Sequence, residues 1–240
     1  MRSNRLLLGV CSLAVLSTAV RAADFWQTKP VHEWTREETQ RFLRDSPWAH
    51  QVMVGGSLLE AGAPGDAAGE RAGMGETSGA AGREQRDSVD VPISAPPGTP
   101  YIIEWTSAKI VRQAWSHVHA MQKQREEEDA EPPASPLYVL SIGGPNLKAF
   151  EELTEEQLQT ASYLHPKHSK NKVQPVEVKI GKTQDGRIVA IQFAFPREMD
   201  GQPIVPEREK AVEFSCKLKN FAIKTSFNLA KMMTAEGRDL

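Results

Sequence analysis

In the last third of the chain, apolar side chains return at every second position. Val176, Val178 and Ile180 alternate with polar neighbours; Val189, Ile191, Phe193 and Phe195 do so beyond Asp185-Gly186. The same period runs through Val212, Phe214, Cys216 and Leu218, and after a short turn near Asn220 through Phe221, Ile223 and Phe227. A period of two sends alternate side chains to opposite faces of a strand, and Asp-Gly between two such runs is a tight hairpin turn. The pattern predicts a four-stranded antiparallel meander with one face on a core and one in water. A meander of this kind needs a cover.

The cover is found upstream. "TPYIIEWTS" reads as a strand, and from Ser107 a long helix is signalled by Ile110, Val111, Ala114, Trp115, Val118 and Met121 at helical spacing. The helix gives way to the acidic, proline-rich "QREEEDAEPPASP" before a second apolar strand, "LYVLSIGG". If both strands join one sheet, this order predicts a right-handed parallel crossover. Thr154 to Gln157 is a capping box for a helix running to about Leu164, and Thr35 with Glu38 is another, for a helix from about Arg36 to Arg44. Ser46-Pro47 reads as a further helix start, and "QVMV" as a brief strand. The expected fold class is α+β: a largely antiparallel sheet, its C-terminal meander packed against one long helix with two shorter helices.

Residues 55–98 differ in kind. They are dominated by Gly, Ala, Glu and Ser, and no Phe, Trp or Tyr occurs between Trp48 and Tyr101. Such a segment buries too little apolar surface to offset its ordering entropy, so a disordered insertion is expected. At the other end, Arg2 and Arg5 precede an apolar run from Leu6 to Leu16 and a Val20-Arg21-Ala22 ending. This is the anatomy of a secretory signal cleaved near Ala22, and the run is too short to span a bilayer. The expected division is 1–22 signal peptide, 23–54 docking helix segment, 55–98 linker and 99–240 α+β domain.

Export constrains the chemistry. Loss of Arg2, Arg5 and Arg21 takes the formal net charge from -2 to -5, which disfavours nucleic acid and anionic lipid as partners. Cys11 leaves with the signal, so Cys216 has no intramolecular partner and stability must come from packing. No stable membrane insertion is expected after cleavage, and the exported chain is placed in the periplasm or outside the cell.

The order "FWQTKPVHEWTREETQRFLRDSPWAHQV", "IIEWTSAKIVRQAW", an apolar strand ending in Gly-Gly-Pro, "FAFPR", "KAVEFSCKL" and a closing "FNLAKMM...GRDL" is similar to an uncharacterised family of predicted exported acidobacterial proteins. The resemblance covers most of the chain outside the insertion. It implies architecture and export, and brings no site residues with it.

No Gly-x-Ser-x-Gly elbow, His-Glu-x-x-His, phosphate-binding glycine loop or dinucleotide fingerprint occurs. His117 and His119 lie about 200° apart on a helix and cannot share a metal. His165 and His168 lie in "LHPKHSKNK" with Lys167, Lys170 and Lys172, a small basic patch that reads as a solvated turn or a site for an anionic group. No third zinc ligand lies nearby, and no metal or cofactor is expected. Cys216 falls on the inward face of its strand, as a core residue. Gly143, Gly144 and Asn146 end a central strand, where ligands often bind, and are the candidate ligand-binding residues. Trp34 and Trp48 bracket a capped helix poor in apolar surface of its own, and are the candidate docking residues, against the chain's own sheet or a partner's groove.

The function expected from these features is a non-catalytic exported interaction or ligand-binding domain of the cell envelope, its partner an envelope protein or a small ligand. The alternative is an exported hydrolase whose site is assembled from dispersed residues such as His50, His165 or Asp200.

Overall fold

The computed structural model describes residues 24–54, 98–123, 134–169, 171–218 and 222–240. The signal segment, the insertion up to residue 97, most of the acidic loop, Lys170 and the turn at Asn220 with Phe221 lie outside the described residues. In chain order the helices are α1 (Phe25–Thr28), α2 (Arg36–Phe42), α3 (Lys109–Lys123) and α4 (Glu155–Ala161). The strands are β1 (Ala49–Val54), β2 (Thr99–Glu104), β3 (Leu137–Gly143), β4 (Ser162–Pro166), β5 (Glu177–Lys182) and β6 (Ile188–Pro196), then β7 (Glu198–Met199), β8 (Gln202–Pro203), β9 (Ala211–Lys217), β10 (Ala222–Asn228), β11 (Met233–Thr234) and β12 (Gly237–Arg238). The class is α+β, with mostly antiparallel sheets and one long helix.

Both capping boxes form. Thr35 Oγ1 accepts the N–H of Glu38 at 3.1 Å while the Glu38 carboxylate accepts that of Thr35 at 2.7 Å. Thr154 and Gln157 exchange the same two bonds at 3.2 and 2.9 Å. Ser46-Pro47 starts no helix: the Ser46 hydroxyl accepts the N–H of Trp48, making a turn that feeds β1. Helix α4 stops at Ala161 rather than near Leu164, because Ser162, Leu164 and Pro166 bury alternately as β4.

The four C-terminal strands divide between two sheets. One has the order β1-β2-β3-β6-β5, the other β10-β9-β4. The hairpin β5–β6 belongs to the first and β9–β10 to the second, so the expected single meander is split. The long segment between them, with the small β7–β8 hairpin, lets the chain change sheets. Strands β2 and β3 are antiparallel neighbours, with Ile103 opposite Ile142, so the helix between them makes no parallel crossover.

The inner faces of the two sheets form the core. Ile103, Tyr138, Leu140, Ile142, Ile191, Phe193 and Phe195 face Phe214, Cys216, Ile223 and Phe227, all buried. The rings of Phe193 and Phe214 meet at a tilt with centroids 5.2 Å apart, and Trp105 meets Phe227 edge-on at 5.3 Å. Sheet-on-sheet packing therefore covers most of the apolar face assigned by sequence to the long helix. Val189, read as inward, is exposed, because Gly181 pairs with Ala190 and Lys182 with Ile188. Val189 is the extra residue of a β-bulge, which shifts the alternation so that Ile188 and Ile191 point inward instead.

Helix α3 packs through Ile110, Val111, Ala114 and His117 beside the N-terminal helices, where His117 bonds the Trp34 carbonyl at 2.8 Å. Phe25, Trp26, Trp34, Phe42 and Trp48 form a chain of ring contacts at 4.9 to 5.8 Å. Residues 24–54 thus share the core of the rest and supply its edge strand β1. Trp115, expected in that core, is exposed on α3.

Residues 55–97 are inserted at a hairpin tip. Val54 pairs with Thr99, and Gly98 N–H donates to the Val54 carbonyl at 3.1 Å. Replacing 55–97 by a short polar turn is expected to keep the fold and add about 2 kcal/mol from the smaller closure entropy, read by urea denaturation. A second prediction concerns Asp239, whose carboxylate accepts the N–H of Lys109 at 2.7 Å and of Ile110 at 2.8 Å, capping α3 from far along the chain. Asp239→Ala is expected to lower stability by about 1–2 kcal/mol in the same assay.

Candidate functional site

The structure gives the sequence-derived candidates different roles. Gly144 is needed for packing: a Cβ there would lie 2.8 Å from the Pro100 carbonyl oxygen. Asn146 closes its own turn, its side-chain oxygen accepting the N–H of Lys148 at 3.1 Å. Gly143 differs from both. It pairs with Ile102 and Ala190 on the outer face of the five-stranded sheet, and a Cβ there would meet nothing within 4 Å. Trp34 and Trp48 are buried, with indole N–H groups bonded to the carbonyls of Lys29 at 2.9 Å and Asp239 at 2.8 Å. Both dock on their own chain and present no surface to a partner.

The residues named for a dispersed hydrolytic site are engaged separately. His50 packs its ring 4.9 Å from Phe227 with Nε2 buried and unbonded, and burial pushes its pKa below the usual imidazole value. The ring of His165 bonds the Ser169 carbonyl at 2.9 Å. Asp200 and Gly201, with φ of 53° and 71°, are the centre of the β7–β8 turn, which demands positive φ. Cys216 is buried as expected, and burial pushes its thiol up to about 11.

One histidine–carboxylate pair has the orientation that chemistry uses. His168, in the loop after β4, places Nδ1 2.9 Å from the Glu209 carboxylate. The two residues are 41 positions apart, and no local spacing in the sequence links them. Glu209 was not singled out by sequence; the only signal for it would have been its place just before β9, opposite the end of β4. Among the described residues no group of three or more His, Cys, Asp or Glu side chains could hold a metal ion. A shallow surface depression at α4 is lined by Glu156, Gln157, Thr160, Ala161 and Lys217.

The outer face of the five-stranded sheet is the second place where functional groups gather. One row across it runs Gln51, Ile102, Gly143, Ala190, Gly181, so the three positions from Gly143 to Gly181 bear at most a methyl group. The next row runs Ala49, Glu104, Ser141, Gln192, Lys179. Over it, Trp115 donates its indole N–H to Glu104 at 2.9 Å while leaving 41 % of the residue exposed. Met53, 47 % exposed, lies on the same face beyond Gln51. Glu104 itself is 4 % exposed and its second oxygen has no partner among the described residues. Burial pushes its pKa up to about 7, with the Trp115 bond opposing the shift.

Comparison of the chain with protein-family models, with curated proteins and with solved structures gave no significant match. The geometry alone therefore supports a functional reading.

The raised pKa of Glu104 has a sign that can be measured. Between about pH 4.5 and 7 the unfolded chain releases this proton while the folded chain keeps it, so the group's contribution to stability falls as pH rises. Glu104→Gln is expected to gain up to about 3 kcal/mol relative to the parent between pH 5 and pH 8. Denaturation curves at the two pH values check this, and parallel pH profiles would contradict it.

Proposed function

We propose that this chain is an exported interaction domain of the cell envelope that docks an envelope protein on the outer face of its five-stranded sheet. The observation that carries the reading is Trp115, exposed at the edge of a floor formed by Gly143 and Ala190 and held in one orientation by a buried carboxyl group. The indole N–H satisfies one oxygen of the buried Glu104, and the residue nevertheless stays 41 % exposed. A protein interface uses such a residue, since rigid aromatic anchors and Met dominate such contacts.

The shape favours a protein over a small ligand. Small molecules are held in concave pockets that bury most of their surface. Here the surface is a broad sheet face with an apolar centre at Ile102, Gly143, Ala190 and Met53, and a polar rim where Glu177 and Lys179 pair at 2.9 Å. Export is supported by the charged and apolar pattern of residues 1–22 and by the resemblance to exported acidobacterial proteins. Among the described residues no helix is long and apolar enough to cross a membrane.

Gly143 provides a test that separates docking from folding. Its missing Cβ points into open space, so Gly143→Gln is expected to keep the unfolding midpoint of the parent while obstructing the floor. In a pull-down from envelope extract, the parent is expected to retain a stoichiometric protein that both Gly143→Gln and Trp115→Ala lose. Equal retention by all three would overturn the reading, and retention of a glycan or small molecule instead would change the partner class.

A further inference from the structure

The loop after β4 carries groups that the docking face does not use. Glu209 is held in one orientation by four donors. One oxygen accepts the ring Nδ1–H of His168 at 2.9 Å and the N–H groups of Lys210 and Ala211 at 3.1 and 3.3 Å. The other accepts the N–H of His168 at 3.2 Å. Lys167 N–H also donates to the Ala211 carbonyl at 3.0 Å, so the two segments that carry the pair are joined by backbone as well.

The two side chains differ sharply in access. That of Glu209 is 1 % exposed and the imidazole of His168 is 65 % exposed. Burial opposes ionisation of Glu209, but the His168 and backbone donors outweigh it and hold the carboxyl below its ordinary value. A carboxylate that accepts Nδ1–H selects the neutral tautomer with its lone pair on Nε2. Nε2 has no protein partner among the described residues. A base held by a buried orienter, with its second nitrogen accessible, is the arrangement that activates a hydroxyl or water.

We propose that His168 and Glu209 form a base–orienter pair that hydrolyses small activated esters reaching the loop from solvent. Nε2 of His168 takes a proton from water as the water oxygen bonds to the ester carbonyl carbon. The tetrahedral adduct collapses with cleavage of the bond to the leaving oxygen, and the imidazolium returns the proton to that oxygen. One water is consumed, an acid and an alcohol are formed, and nothing is oxidised or reduced. Glu209 is a positioning residue: it fixes the tautomer and faces the imidazolium as it forms. The exposed Lys167 and Lys210, next to the pair in the chain, lend a positive field to the developing oxyanion.

The experiment is p-nitrophenyl acetate hydrolysis by the purified protein from pH 5 to 9, beside His168→Gln, His165→Gln and Glu209→Gln. The parent rate is expected to rise with pH to a plateau. His168→Gln, whose amide can still donate to Glu209, is expected to remain folded by circular dichroism at the assay temperature and to lower the plateau by about tenfold or more. His165→Gln is expected to match the parent. Glu209→Gln is expected to lower the plateau and to shift the pH at which the rate levels off, because the imidazolium loses the carboxylate that faces it; a purely structural role would scale the profile without shifting it. A parent rate with no plateau, or His168→Gln as fast as the parent, would overturn the proposal whatever the outcome of the docking test.

Discussion

Asp239 joins the start of α3 to the entry of β1, reinforcing the strand pairing that already sets Ala49 opposite Glu104 and brings the Trp105 N–H to the Trp48 carbonyl at 2.8 Å. Its carboxylate caps the first turn of α3, and its carbonyl accepts the indole N–H of Trp48, which sits at the entry to β1. The next residue, Leu240, gives its carbonyl to Arg197 beyond β6. A carboxylate at a helix start satisfies orphan N–H groups and complements the helix dipole. Here it also fixes where the helix stands relative to the sheet edge. Lys109 adds an ion pair to Glu236 at 2.9 Å, but that pair is largely solvated and contributes little. The cap and the Trp48 bond act together with the buried face of α3 and the His117 bond to Trp34 in holding Trp115 over Glu104.

The same frame explains why polar groups lie where they do. The inner faces of both sheets are filled by aromatic and branched side chains, and burial beside Phe227 pushes the His50 pKa below its ordinary value. The outer face of the three-stranded sheet carries Tyr163, His165, Glu213, Lys224 and the buried Ser215, with Lys224 and Glu213 paired at 3.2 Å, so polar groups dominate it. The outer face of the five-stranded sheet departs from that rule. Ile102, Gly143, Val139 and Ala190 lie where a solvated sheet would place charge, and a carboxyl group is buried beneath an indole. An arrangement that raises the pKa of Glu104 lowers stability at neutral pH.

Local signals were legible where the interaction itself is local. The boxes at Thr35 and Thr154 involve residues three positions apart, and both form. Alternation correctly placed Cys216, Phe214 and Phe193 inward, because the period of a strand is a backbone property. The same rule failed at Val189, where a bulge displaced the phase, and helical spacing failed at Trp115, whose position on α3 looks apolar until its indole finds Glu104 eleven residues back. Of the candidate site residues, Gly143 lies on the open face, whereas Gly144 and Asn146 are explained by close packing and a turn. Trp34 and Trp48 do dock, and they dock within the chain.

The sequence by itself determined the two capping boxes, the alternating strands β5, β6, β9 and β10, the α+β class and the unusual composition of residues 55–98, because each follows from neighbours within a few positions. Only the tertiary structure decided how the strands are shared between two sheets, since an apolar face records that it must be covered and not by what. It alone brought His168 to Glu209 across 41 residues and Asp239 to Lys109 across 130. Hydrogen bonds between distant segments leave no period in a sequence; they exist only once the backbone on both sides has been fixed by packing.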